Sequence, residues 1–104
     1  MAKRTPPTFP AARRQVLALG ARLRAARLRR GMTQAELAAR VGVAKATLLK
    51  LEAGNPATSL ATLLRALHVL GLSADIDALA ANDPVGVALQ DSRRQRARPR
   101  KASP

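Results

Sequence analysis

Residues 33–54 read TQAELAARVGVAKATLLKLEAG, and two short helices with one tight turn between them can be read directly from this stretch. Thr33 followed three positions later by Glu36 is the T-x-x-E pattern of a capping box, which opens a helix. That helix is expected from Gln34 to about Arg40, with Leu37, Ala38 and Val41 pointing inward. Gly42 stands where the chain must bend sharply and needs a residue that tolerates positive φ. A second helix is expected from Ala44 to about Ala53, with Leu48 and Leu51 inward and Val43 packing at the turn. Gly54 ends it, and Asn55-Pro56 turns the chain again.

Two helices at this spacing make a helix-turn-helix, whose second helix enters the major groove of DNA. The bulk composition agrees. The 104 residues carry 19 Lys and Arg against 6 Asp and Glu, a net charge of +13 that favours a polyanionic partner. Abundant Ala and Arg with few Lys is also the composition a GC-rich genome produces, an alternative reading of part of that excess. No cysteine is present, so disulfides and thiolate metal sites are excluded, and a single histidine leaves no basis for a metal or other cofactor. Phe9 is the only aromatic residue, which argues against reading single strands by stacking. No apolar run approaches the roughly 18 residues of a membrane span, and MAKRTPPTFPAARR lacks the apolar core of a signal peptide. A cytoplasmic protein is expected, with no membrane partner.

Working outward, residues 1–10 carry three prolines and read as a flexible N-terminal arm. A helix is expected from Ala11 to Arg30, with Val16, Leu17, Gly20, Leu23, Ala26 and Leu28 on or near one face and Gly31 closing it. Arg27 falls on that apolar face, where a charge needs a partner. Ser59 caps a fourth helix whose stripe is Leu60, Leu63, Leu64, Leu67 and Leu70, closed by Gly71. A short fifth helix around Asp75 to Ala81 uses Ile76 and Leu79. The helix-turn-helix domain is therefore placed at residues 11–82. Asp83-Pro84 resembles an N-cap followed by proline at the first helical position, and residues 83–92 read as a dimerisation or partner segment. Over 85–92 the pattern fits a helix or an extended segment equally. Residues 93–104, RRQRARPRKASP, read as a basic disordered tail. The expected fold is all-α, a compact domain of four to five helices with flexible basic tails.

The stretch from about Leu19 to Leu72 resembles the phage-repressor (Cro/cI, or Xre) class, through Arg27, Gly31, Thr33-Gln34, Leu37-Ala38, Gly42-Val43, Thr47-Leu48, Leu51-Glu52 and Gly54. The resemblance implies a lambda-repressor-like domain that binds double-stranded DNA. It also implies that Gln34 contacts a phosphate and braces the recognition helix, that Lys45 and Ala46 face base edges, that Lys50 reaches bases and that Thr47 meets a backbone phosphate. Arg27 and Glu52 match a pair that forms an internal salt bridge. The sequence departs from the pattern at Ala44, where Ser or Thr often caps the helix, and at Leu49, where a small polar residue is usual. Leu49 is suited either to a thymine methyl or to packing. The wider pattern LEAGNPATSLATLLRALHVLGL, with a short acidic helix and a DPVG segment, is similar to HipB-type antitoxins, which partner a HipA-type kinase toxin.

These readings imply a sequence-specific transcriptional regulator, an autoregulating repressor acting as a homodimer through Ile76, Leu79 and residues 85–90. An antitoxin that also neutralises a kinase is the alternative, and a non-specific polycation is a third. An enzyme is disfavoured by the lack of a Gly-rich phosphate loop or clustered carboxylates. Asp75 and Asp77, two apart, point away from each other and fit helix capping.

Overall fold

The computed structural model describes residues 9–97, and over these it is helical with no strand. The helices are α1 (Pro10–Arg29), α2 (Gln34–Val41), α3 (Lys45–Glu52), α4 (Leu60–Val69), a 3-10 turn (Ser73–Ala78) and α5 (Pro84–Ala97). The chain divides into two compact units, Met1–Ala74 and Asp75–Pro104. The first unit thus ends before the boundary at residue 82 that the sequence suggests. The expected N-terminal arm lies almost wholly outside the described residues.

In the first unit, α2 packs on α3 and α4, and α1 packs on α3. Leu23, Ala26, Met32, Leu37, Ala38, Val41, Leu48, Leu51, Ala66, Leu67 and Leu70 form the buried core. Local chemistry sets the boundaries. Pro10 opens α1, at a position where its missing N–H has no helical partner to lose. The Thr33 side chain accepts from Glu36 N at 3.1 Å, and its hydroxyl donates to Glu36 Oε1 at 3.1 Å. Ser59 likewise accepts from Thr62 N at 3.1 Å. Gly42 ends α2 at φ 81°, ψ 34°, the left-handed conformation that a side chain resists.

The crossing of α1 over the end of α3 is made backbone to backbone. A Cβ on Gly20 would lie 2.6 Å from the Glu52 carbonyl oxygen, and one on Gly54 would lie 2.5 Å from Leu17 Cα. Neither position accepts a side chain without moving main chain.

Two apolar stripes differ from expectation. On α1, Leu17 and Leu28 are exposed, while Gly20, Leu23, Ala26 and Arg27 are buried. On α4, Leu60 is 65% exposed and Leu64 lies at the surface, while Thr62 and Ala66 are buried. The reason is that α4 turns its small side chains toward its neighbours. Ala66 permits close approach, and the Thr62 hydroxyl is satisfied by Ser59 Oγ at 2.8 Å, so it enters the core without an orphaned polar group.

The short fifth helix is a 3-10 turn that spans the boundary between the units, and Leu79 lies just past it, 67% exposed. Residues 84–97 are a helix, which resolves the ambiguity over 85–92 and corrects the tail. Residues 93–97 are helical rather than disordered: they complete the helix capped by Asp83, and Arg94 and Arg96 in its last turn suit the negative end of the helix dipole. Asp83 Oδ1 accepts from Gly86 N at 3.1 Å, and the Asp83 carbonyl accepts from Val87 N at 3.0 Å. Residues 98–104 lie outside the described residues.

Candidate nucleic-acid interface

Helix α3 is amphipathic in an unusual sense. Its inner side buries Leu48, Leu51 and Glu52, and its outer side exposes Lys45, Ala46, Leu49 and Lys50. Thr47 is half-buried at the margin. Ala44 occupies the N-cap position in extended conformation and offers no side-chain acceptor. The Ala44 carbonyl accepts from Thr47 N at 3.0 Å and Leu48 N at 3.2 Å. The first N–H groups of α3 lack partners by helix geometry and are open to water or to an anion, toward which the helix dipole also points.

What holds this helix is charge inside the domain. Arg27 on α1 donates from Nε to Glu52 Oε2 at 2.8 Å and from Nη2 to Glu52 Oε1 at 3.0 Å, a two-pronged fork. Its third arm, Nη1, donates to the Met32 carbonyl at 2.8 Å. Both side chains are buried, and among the described residues this is the single ion pair. The hydrogen bond to Glu52 is the main reason the Arg27 guanidinium holds its proton even more firmly than usual; burial opposes this and the carboxylate charge adds to it. Gln34, at the start of α2, reaches the same carboxylate, with Nε2 3.4 Å from Glu52 Oε1. One carboxylate of α3 is thereby tied to α1, and it meets α2 through this longer contact.

Two contributions carry no sequence signal. The Met32 anchor is a backbone carbonyl, so any residue supplies it. Ala53, the C-cap of α3, is exposed on the outer side of that helix but reads in the sequence only as a helix end. Ile76 is half-buried and Leu79 exposed, both in the second unit. The loop after α3 is pinned by Asn55, whose Oδ1 accepts from Ala57 N at 2.9 Å.

A family model described as helix-turn-helix matches residues 23–76, just over half of the chain. The chain belongs to the Xre/Cro-type helix-turn-helix family. Its all-helical fold is that of a lambda-repressor-like DNA-binding domain, and the family is one of DNA-binding transcription regulators. No curated protein and no solved structure gives a match to the chain. Among the described residues, no helix is long and apolar enough to cross a membrane.

Proposed function

We propose that this helix-turn-helix protein is a repressor that acts by occlusion at the nucleoid. A dimer sets two copies of α3 in successive major grooves, on half-sites about 34 Å apart. The observation that carries the reading is the division of α3: its inner side is locked by the Arg27–Glu52 fork, while Lys45, Ala46, Leu49 and Lys50 face outward. In this reading Lys45, Ala46, Leu49 and Lys50 meet base edges, and Thr47 and Gln34 meet phosphates. Arg27 and Glu52 position the helix and touch no DNA.

A partner surface is supported by exposed Leu79, Val85, Val87 and Leu89 in the second unit, with Ile76 beside them in sequence. A second copy of the chain is the first candidate. Sedimentation that finds only monomer, both free and on DNA, sinks the dimer. A HipB-like antitoxin role is the second reading of the same surface, with a HipA-type kinase in place of, or beside, the second copy. Co-purification with the product of an adjacent gene separates the two.

The deciding experiment is fluorescence anisotropy at two salt concentrations, with the duplex upstream of the gene and a shuffled control. Wild type is expected to prefer the upstream duplex, and Lys45→Ala to weaken that binding about tenfold, the scale of one base contact. Equal, steeply salt-dependent binding to both duplexes, unchanged by the substitution, would instead make the protein a non-specific polycation.

A further inference from the structure

The outward side of α3 has an order about the helix axis that differs from its order in sequence. At about 100° per residue, the exposed positions follow as Lys45, Leu49, Ala53, Ala46 and Lys50. Two lysines thus stand at the edges, and an apolar strip of Leu49, Ala53 and Ala46 fills the centre. Leu49 is 42% exposed, far more than its core neighbours Leu48 and Leu51.

Apart from its two lysines, this face lacks the side chains that usually recognise bases. No Asn or Gln is present to bond adenine N6 and N7, no Asp or Glu to accept from cytosine N4, and no Arg to fork onto guanine. The two ammonium groups donate only, so the strip accepts nothing from a base. A leucine set against an adenine or cytosine amino group would leave that donor without water or partner, which is unfavourable. One major-groove group suits an apolar strip, the C5-methyl of thymine, and the neighbouring O4 accepts from a lysine.

We infer that α3 reads the C5-methyl group of thymine and that Leu49 carries the discrimination. The inference rests on the proposal that α3 is the recognition helix. Lys45 and Lys50 flank the contact and bond guanine, thymine O4 or phosphate acceptors on either side. At that position specificity then comes from one apolar contact in each half-site and from the exclusion of amino groups, beside what the lysines contribute.

The test acts on the DNA and leaves the protein intact. The full chain selects a duplex from a randomised pool. Each thymine of that duplex is then replaced singly by deoxyuridine, which pairs identically and lacks only the methyl. One position in each half-site is expected to lose about fourfold in affinity, the value of burying one methyl-sized group. In Leu49→Ala that loss falls below twofold, while Lys45→Ala retains it. If deoxyuridine is tolerated everywhere and the selected duplex is still preferred over a shuffled one, methyl readout is wrong and α3 reads DNA by other means. If the loss persists undiminished in Leu49→Ala, Leu49 is not the reader and the inference fails. A pool that yields no preferred sequence removes the recognition-helix reading itself, and this inference with it.

Discussion

Arg27 places a charge inside a small domain, and the geometry around it explains why that is tolerated. Its three nitrogens donate to Glu52 Oε1, Glu52 Oε2 and the Met32 carbonyl. Removing one partner leaves the other charge buried alone, which costs about 3–5 kcal/mol, a large share of the roughly 5–15 kcal/mol that holds a domain together. Replacing both with apolar residues of similar volume removes that penalty. In denaturant unfolding, Arg27→Met and Glu52→Leu are therefore each expected to destabilise strongly, while the double variant recovers most of the loss. Simple additivity of the two would show that the fork is not one unit. The pH dependence follows from Arg27. A group whose pKa is raised on folding contributes its stability below its ordinary range, and that contribution is lost only as pH rises through the still higher folded value. The stability difference between wild type and the double variant is accordingly flat, on Arg27's account, from roughly pH 7 to pH 10.

At the scale of the element, α3 begins differently from α2 and α4. Thr33 and Ser59 each bond the third N–H of their helix, whereas Ala44 has nothing to offer. Its backbone is already extended, as an N-cap requires, so a serine needs no rearrangement there. Ala44→Ser is expected to add about 1 kcal/mol, a rise in melting temperature of roughly 4–8 °C for a domain of this size. An unchanged melting temperature would mean that water caps α3 equally well. Helix ends of this kind were legible in the sequence, because Thr33, Gly42, Ser59 and Asp83 act through their own neighbours. Faces were less legible. The leucine periodicity of α4 pointed to Leu60, Leu63, Leu64, Leu67 and Leu70; the core took Leu67 and Leu70, left Leu60 and Leu64 at the surface, and admitted Ala66 and Thr62, whose hydroxyl had Ser59 to bond. For α5, Val85 and Val87 alternate like a strand, and the pattern alone could not outweigh the Asp83 cap that decides for helix. The outward order on α3 follows from the helix read over Ala44 to Ala53, and the structure adds that Ala53 keeps helical conformation as the C-cap.

Across the whole molecule, charge is unevenly spread. The unit Met1–Ala74 carries 13 of the 19 basic residues and only Glu36 and Glu52 among the acids, one engaged at a helix cap and one in the fork. In the unit Asp75–Pro104 the four acids come first, and from Arg93 onward there are six basic residues and no acid. On the proposed reading such a stretch would add affinity without sequence information, since phosphates position a protein while base edges specify its site. Each neutralised phosphate steepens the fall of log K with log salt by about 0.9. Replacing Arg93, Arg94, Arg96, Arg98, Arg100 and Lys101 with glutamine is therefore expected to flatten the salt dependence of DNA binding by about 5 in slope. The preference for the upstream duplex over its shuffled control should not change, because Lys45, Leu49 and Lys50 are intact in that variant. Titrations across a salt series separate the two quantities. An unchanged slope would show that these six charges stay solvated when DNA is bound, and that the first unit alone meets the phosphates. A slope that flattens together with loss of the preference would move part of the sequence readout away from α3 and into the segment beyond Ser92.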